Sequence, residues 1–194
     1  MSEKRFVVAS ASPRRKEILA NAGYSFDVIA SKADESLPSD ISAENAVKEL
    51  AKRKALSVAR NLQNTVVLGC DTVVAIDGEI LGKPHDVKQA AEMLRELSGR
   101  THTVFTGVCI TDGKDTKTFV SSTEVEFYRL SQKTIDSYIA TNEPSDKAGA
   151  YGIQGYGSVF VKKINGDYLT VVGLPLGKTA HILSEFGIKG IIEF

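Results

Sequence analysis

Apolar and polar positions along this chain follow two different periods, one typical of strands and one typical of helices. Continuous apolar runs at residues 6–9 and 65–76 predict buried strands. Between them, from Ser42 to about Asn61, apolar side chains recur every three or four residues, which predicts an amphipathic helix capped by Ser42. The order of strand, helix and strand is typical of an α/β protein.

The same two periods predict the other elements. Helices are expected at residues 13–23, 87–97, 132–140 and 177–186, and strands at residues 24–30, 79–81, 101–111, 116–130, 158–164 and 168–172. Asp-Gly and Asn-Gly pairs predict hairpin turns at Asp77, Asp112 and Asn165. Hairpins within an alternating order of helices and strands predict a mixed sheet flanked by helices, in one domain that spans residues 1–194.

The composition is that of a soluble globular protein. Hydrophobic residues make up 42% of the chain and charged residues 25%, which are ordinary values. Lys plus Arg (24) equals Asp plus Glu (24), so the chain lacks the broad basic surface that non-specific nucleic-acid binding needs. No stretch resembles a signal peptide or approaches the roughly 18 apolar residues of a membrane span. We therefore expect a cytoplasmic protein without a membrane partner.

The spacing of the cysteines and histidines does not indicate a metal site. Cys70 and Cys109 lie in apolar runs, and we expect both to be small buried side chains in a reducing compartment. The three histidines have no ligand spacing either, and we expect structural roles for His85, His102 and His181.

A cluster of hydroxyl and basic side chains follows the first strand directly. Ser12 can cap a helix that begins at Pro13, and three basic residues then lie where the helix dipole is already positive. This crowding costs stability unless an anion binds there. Helix N–H groups, hydroxyls and guanidinium groups together are typical of phosphate sites, here from Ser10, Arg14 and Arg15. Taken alone, the Arg-Arg pair is more typical of a solvated basic turn than of a phosphate site, but the polar clusters later in the chain favour phosphate.

Asp71 interrupts an otherwise apolar strand. Because burying an unpaired carboxylate is costly, we expect Asp71 to face a metal, a cation or a proton that it transfers, although it could also cap a neighbouring turn. The loop residues Asp34 and Glu35 offer further carboxylates, which with Asp71 could bind one Mg²⁺.

Two lysines and a glycine-rich segment complete the candidate chemistry. Lys54 lies on the apolar side of its predicted helix, from which it either reaches this site or extends to solvent. Lys83 lies in a Gly-Lys-Pro loop and could point towards a ligand held by Asp71. Residues 149–157 contain four glycines, which allow close approach to a ligand, and Gln154 can donate and accept at a base edge. Residues 173–179 are one residue too short for a phosphate-binding P-loop.

Together these motifs resemble the Maf family, in the right order from about residue 6 to residue 186. The resemblance rests on Ser10-x-Ser12-Pro13-Arg14-Arg15, Lys54-Ala55, Gly69-x-Asp71-Thr72-Val73-Val74, Gly82-Lys83-Pro84, Ser98-Gly99, the run from Asp146 to Gly155, and Val172-Gly173-Leu174-Pro175. It implies an elongated α/β fold with a central cleft, related to the house-cleaning inosine triphosphate pyrophosphatases. It also implies a cytoplasmic homodimer that hydrolyses nucleoside triphosphates at the α–β phosphoanhydride bond and needs a divalent metal, Mg²⁺ or Mn²⁺.

The resemblance assigns roles to particular residues. The family's proton acceptor falls on Asp71, and its three specificity positions fall on Arg14, Thr72 and Gln154, a set that looks like the branch acting on dTTP and UTP. In the resulting hypothesis the triphosphate is bound by Ser10, Arg14, Arg15, Lys54 and Lys83. Glu35 and Asp71 would hold the metal. The residues alone leave open whether Asp71 is a base, a ligand or both, and they would suit β–γ cleavage equally.

A second hypothesis belongs to another class of protein. Members of the family were first described as inhibitors of septum formation, so the chain could be a non-catalytic regulator that binds nucleotide or nucleic acid in cell division. Asp71 and Glu35 discriminate between the two hypotheses, because a protein that only binds anions has no use for carboxylates that face phosphate.

Overall fold

The structure is a computed structural model that describes residues 4–192. In this part of the chain seven strands form one sheet in the order β2-β1-β3-β5-β6-β7, with β4 also paired to β3. The strands are β1 (Arg5–Val8), β2 (Asp27–Val28), β3 (Thr65–Ile76), β4 (Glu79–Leu81), β5 (Thr101–Thr111), β6 (Thr116–Phe127) and β7 (Val161–Asn165). β1 runs parallel to β2 and β3, whereas β4 and β7 are antiparallel to β3 and β6.

Helices connect most of these strands. They are α1 (Pro13–Asn21), α2 (Ala43–Ala59), α3 (Val87–Leu97), α4 (Gln132–Ile139), α5 (Tyr168–Val172) and α6 (Leu176–Glu185), with short 3₁₀ turns at Glu143–Asp146, Ala148–Ala150 and Tyr156–Phe160. A mixed sheet flanked by helices is the predicted fold class, and the structure confirms it. No helix in residues 4–192 combines the length and apolar character that crossing a membrane requires.

The chain folds as two compact units. The first contains the described residues up to Asp71, the segment Thr106–Ser121 and the chain from Gly173 onwards; the second contains Thr72–Phe105 and Ser122–Val172. The prediction that residues 1–194 form one domain stays a prediction, and residues 1–3 and 193–194 lie outside the described part.

Helix α2 packs directly on the sheet of the first unit, because two glycines leave room for its backbone. A Cβ atom on Gly69 would lie 2.3 Å from the carbonyl oxygen of Ala51, and one on Gly107 would lie 2.3 Å from that of Val47. The contact surface of α2 is formed by small side chains, and it shares a buried cluster with residues of β1, β3 and β5. This close contact holds α2 at a fixed depth beside β3.

Most predicted elements agree with the structure, but two strands do not. The strand expected at residues 24–30 is reduced to Asp27–Val28. Both residues are exposed at the edge of the sheet, so a longer strand there would gain little from burial. The strand expected at residues 168–172 is wrong, since these residues form helix α5. The Asp167 carboxylate accepts the N–H groups of Leu169 and Thr170 and so caps that helix.

The remaining differences concern element ends. Strand β6 ends at Phe127 rather than residue 130, and the next N–H group, of Tyr128, donates to the Phe160 carbonyl. The strand expected from residue 158 begins only at Val161, after a 3₁₀ turn, and pairs with β6.

The expected burial of both cysteines is confirmed, and one of the three histidines lies in the interior. Both cysteines are free thiols and fully buried. His102 is buried in the second unit, where its Nε2 lies 2.9 Å from the Tyr151 hydroxyl.

Candidate functional site

Two carboxylates of the first unit meet at one ammonium group. The Nζ atom of Lys54, on α2, lies 2.5 Å from Oδ1 of Asp71, on β3, and 2.9 Å from Oε1 of Glu35, in the loop that precedes α2. The Lys54 and Asp71 side chains are only 14% and 13% exposed, whereas the Glu35 side chain is 62% exposed. The cluster therefore combines a shielded ion pair with a more exposed outer carboxylate.

The contact between α2 and β3 explains why Lys54 reaches Asp71. Gly69 lets the α2 backbone approach the strand next to Ala51 and Ala55, the neighbours of Lys54, and Asp71 follows two residues later on that strand. Of the two alternatives that the sequence leaves for Lys54, the structure selects the one in which it faces the Asp71 cluster.

Electrostatics keep this lysine charged. Burial lowers the pKa of Lys54, but the neighbouring carboxylates of Asp71 and Glu35 more than offset this effect and raise the pKa above its usual value. The hydrogen bond uses Oδ1 of Asp71, and no described residue donates a hydrogen bond to Oδ2. A carboxylate oriented in this way can accept a proton or a further ligand at its second oxygen.

The β1–α1 junction forms a second cluster in the first unit. The Arg15 guanidinium donates through Nη1 to Ser10 Oγ over 3.0 Å and through Nε to the Gly173 carbonyl over 2.9 Å. The same Ser10 oxygen accepts the Ser12 N–H over 3.3 Å. Since a hydroxyl has two acceptor sites and one proton, Ser10 retains its O–H for an incoming acceptor such as a phosphate oxygen.

Helix α1 begins without the expected serine cap. Ser12 occupies the N-cap position, but its side chain makes no capping hydrogen bond, so that prediction is wrong. No described residue pairs with or accepts a hydrogen bond from Arg14, in the first turn. An uncapped, positively charged helix start is suited to an anion.

Cys70 connects the two clusters of the first unit. Its thiol donates to the Gly173 carbonyl over 3.1 Å, the same oxygen that Arg15 uses. Burial raises the pKa of Cys70, and the charges of Arg15, Asp71 and Lys54 all act on it. Sequence reasoning missed Cys70 and Gly173 as parts of this site. Gly173 stood in a motif that failed as a P-loop, and Cys70 differed from its apolar neighbours only in lying next to Asp71.

Three predicted site residues lie in the second unit. Thr72 follows Asp71 directly on β3, and its side chain is partly buried. Lys83 is exposed in the loop after β4, whose Gly82 carbonyl accepts the Gly149 N–H over 3.0 Å. Gln154 is exposed within the glycine-rich segment, and no described residue bonds to its amide. The predicted residues of the first unit are Ser10, Arg14, Arg15, Glu35, Lys54 and Asp71.

The donor set of the first unit fits a hard divalent cation. No group of three or more His, Cys, Asp or Glu side chains comes together in residues 4–192. However, Asp71 and Glu35 direct one oxygen each at the same cation, the Lys54 ammonium. Mg²⁺ commonly takes only one or two carboxylates and completes its shell with water and phosphate oxygens. Two carboxylates therefore suffice if a phosphorylated ligand supplies the rest.

A family model and related proteins match nearly the whole chain. The model of a family described as Maf-like protein matches residues 5–186. A dTTP/UTP pyrophosphatase of Bacillus pumilus is 52% identical over 184 residues, which are 95% of this chain and 97% of that protein. A dTTP/UTP pyrophosphatase of Bacillus velezensis is 52% identical over 186 residues, or 96% and 98%. Among solved structures, the Staphylococcus aureus Ham1 protein matches 64% of this chain and 72% of its own, with a TM-score of 0.48 and 16% identity.

Proposed function

The chain belongs to the Maf family, and on that premise we propose that it hydrolyses nucleoside triphosphates, dTTP and UTP in preference to others. The products are the nucleoside monophosphate and pyrophosphate. The proposal draws its substrate from the names of relatives that are 52% identical to this chain. It agrees with the set of Arg14, Thr72 and Gln154, which by its resemblance to the family looks like the branch that acts on dTTP and UTP.

One observation carries the catalytic part of the proposal. A shielded lysine holds Asp71 and Glu35 together at its ammonium group. Cys70, which precedes Asp71, links this cluster to the arginine-rich start of α1 through the Gly173 carbonyl. A protein that only bound nucleotides would gain nothing from two carboxylates there, because they repel phosphate. The cluster therefore favours an enzyme over a non-catalytic regulator of septum formation.

Binding of the triphosphate falls to the basic and hydroxyl groups. Arg14 and the first-turn N–H groups of α1 attract phosphate oxygens, and the Ser10 hydroxyl donates its proton to one of them. Arg15 holds Ser10 in place and adds its charge. Lys54 and Lys83 neutralise further phosphate charge, so that negative charge that develops on the leaving pyrophosphate is stabilised.

A divalent metal, Mg²⁺ or Mn²⁺, would be held by Glu35 and Asp71. When bound, it supplies positive charge that polarises the phosphate oxygens. The Lys54 ammonium holds one oxygen of each carboxylate at the same point, which places both for a cation.

Asp71 acts on the attacking water. The hydrogen bond from Lys54 to Oδ1 fixes the orientation of the carboxylate, and Oδ2 can accept a proton from water. The water oxygen then bonds to the α-phosphorus while the bond from that phosphorus to the bridging oxygen breaks, and pyrophosphate leaves. A rigid strand keeps the carboxylate in position through the step.

Base selection is assigned to the three specificity residues, Arg14, Thr72 and Gln154. The Gln154 amide offers a donor and an acceptor that match the alternating groups of a uracil or thymine edge. Thr72 adds a hydroxyl group, and Arg14 completes the specificity set. That the enzyme works as a cytoplasmic homodimer, in a house-cleaning role against non-standard nucleotides, is proposed on the family resemblance alone.

Product analysis on a nucleotide panel tests this function. The protein is incubated with dTTP, UTP, ATP or GTP, each with Mg²⁺ and with a chelator, and the phosphate products are separated. We expect pyrophosphate from dTTP and UTP at much higher kcat/KM than from ATP and GTP, and none with the chelator. Orthophosphate as the product would assign a different reaction class, and nucleotide binding without any product would favour the regulator.

A further inference from the structure

The second unit contains a short irregular segment, residues 152–157, which carries Gln154 and which we call the Gln154 segment. Up to residue 155 it is neither helix nor strand, so its backbone N–H groups need partners outside regular secondary structure. At its start the Gly152 N–H donates to the Tyr138 hydroxyl over 3.0 Å. Tyr138 is 4% exposed, and its ring packs edge-on against Phe160 with centroids 4.8 Å apart.

The end of the Gln154 segment is held by one carboxylate. Glu143 accepts the N–H groups of Tyr156 and Gly157 over 2.8 and 3.1 Å. It also accepts the Tyr138 hydroxyl proton over 2.9 Å, so a single network joins both ends of the segment. Burial raises the pKa of Glu143, but its three donors lower it by more, so this carboxyl is ionised at neutral pH.

The glycines of this segment make room for the network. A Cβ atom on Gly155 would lie 2.1 Å from Oε2 of Glu143, so the carboxylate would have to leave the position in which it accepts its hydrogen bonds. A Cβ atom on Gly157 would lie 2.9 Å from the Tyr138 hydroxyl oxygen. Part of the glycine pattern is therefore explained by Glu143 and Tyr138 rather than by close approach of a ligand.

We infer that Glu143 and Tyr138 are positioning residues for base selection, because they fix the segment that presents the Gln154 amide. The inference rests on the proposed function, since the support of Gln154 affects selectivity only if Gln154 reads the base. An amide on an ordered backbone distinguishes between bases better than one on a mobile backbone, because it loses less conformational entropy when the base binds.

The test measures kcat/KM for dTTP, UTP, ATP and GTP in the variants Glu143→Gln and Tyr138→Phe. The glutamine is isosteric but directs an NH₂ group at N–H donors, and the phenylalanine removes the hydroxyl that holds Gly152. We expect the dTTP and UTP values to fall about tenfold and the ATP and GTP values to change less than about twofold. The ratio of pyrimidine to purine values thus falls about tenfold.

Asp167→Asn is the matched control. The Asp167 carboxylate also accepts two backbone N–H groups in the second unit, those of Leu169 and Thr170, over 3.1 and 3.0 Å. Its loss should lower the melting temperature without changing the pyrimidine-to-purine ratio. The double variant Gln154→Ala, Glu143→Gln should have the same pyrimidine-to-purine ratio as Gln154→Ala alone, because both substitutions act through the Gln154 amide.

The outcomes separate this inference from the proposed function. If Glu143→Gln and Tyr138→Phe lower the melting temperature but keep the ratio, while Gln154→Ala lowers it, the two residues are merely structural and the inference fails alone. If Glu143→Gln does not fold, Tyr138→Phe decides, since it keeps both backbone bonds to Glu143. A wild type that releases no pyrophosphate, or a ratio insensitive to Gln154→Ala, overturns the proposed role and the inference together.

Discussion

Asp34 and Glu35 are neighbours of similar chemistry, yet their contacts differ. The Glu35 carboxylate lies 2.9 Å from Lys54, whereas the Asp34 carboxylate accepts the N–H and the hydroxyl of Ser36, over 2.9 and 2.5 Å. These bonds lower the pKa of Asp34 and make it part of a local turn. Asp34 is therefore held by its own loop, and of the two carboxylates Glu35 is the one that contacts the Lys54 ammonium.

Glu35→Gln should raise the Mg²⁺ concentration that the enzyme needs, and Asp34→Asn should leave it unchanged. We expect the Mg²⁺ concentration for half-maximal pyrophosphate release to rise at least about tenfold in Glu35→Gln, because one of two charged ligands is lost. An asparagine at position 34 can form the same turn and should leave the titration unchanged. The measurement is the rate of pyrophosphate release against Mg²⁺ concentration, and equal shifts in both variants would remove Glu35 from the metal site.

Gln154→Ala should reduce the preference for pyrimidines. A base edge left without its partner costs about 1–3 kcal/mol, so kcat/KM for dTTP and UTP should fall about 10- to 100-fold while the low purine values barely change. Gln132→Ala, which removes an exposed amide from α4 in the same unit, serves as the control. A wild type that prefers a purine would contradict the assigned branch of the family and leave the pyrophosphatase reaction itself intact.

At the scale of the element, the start of α1 explains why basic residues are crowded there. Arg14→Ala should lower kcat/KM for dTTP strongly, since it removes a guanidinium that no described residue pairs with. The protein without ligand should gain a few tenths of a kcal/mol, because a positive charge leaves the positive end of the helix dipole. Lys16→Ala removes the same charge from the same helix and should have a smaller kinetic effect. A sharp drop in melting temperature with unchanged kinetics would exclude the phosphate role of Arg14.

Long elements could be predicted from sequence because their patterns are local. Strand β3 agrees with the prediction from its apolar run, and helix α2 begins directly after Ser42, whose side chain caps it as predicted. Helix α5 could not be predicted in this way. Its residues favour a strand by composition, but the side chain of Asp167 caps a helix there, and β7 pairs with β6 instead.

The candidate site was predictable in its charged residues but not in its connections. A shielded aspartate and a helix start rich in arginine are visible in the sequence, and both are energetically unfavourable without a partner of opposite charge. The hydrogen bonds that join Cys70 and Arg15 to Gly173 span 103 and 158 residues of chain. No spacing rule connects positions so far apart, so these contacts depend on the tertiary fold.

For the whole molecule, buried His102 predicts a loss of stability in weak acid. Burial lowers the pKa of His102 to about 4, against about 6.5 when unfolded. The unfolded chain therefore binds the extra proton first, so the stabilising contribution is complete above pH 6.5 and is lost as the pH falls towards 4. The loss is about 3 kcal/mol in the free energy of unfolding. The free energy of unfolding, measured with denaturant between pH 4 and 6.5, should depend less on pH in His102→Gln than in wild type or His181→Gln. The same pH dependence in all three proteins would contradict this role of His102.

The central prediction for the whole molecule is that Asp71 drives water attack on the α-phosphate. The decisive measurement quantifies pyrophosphate and dTMP from dTTP and Mg²⁺ for wild type, Asp71→Asn and Asp77→Asn. The last is a control, because Asp77 is an exposed turn residue with positive φ, a conformation that asparagine also adopts. We predict equimolar products from wild type and control, and a loss of at least about 10²-fold in Asp71→Asn, whose circular dichroism spectrum should still be that of the folded protein. Asp71→Asn activity within a few-fold of wild type, or release of dTDP and orthophosphate, would contradict the claim.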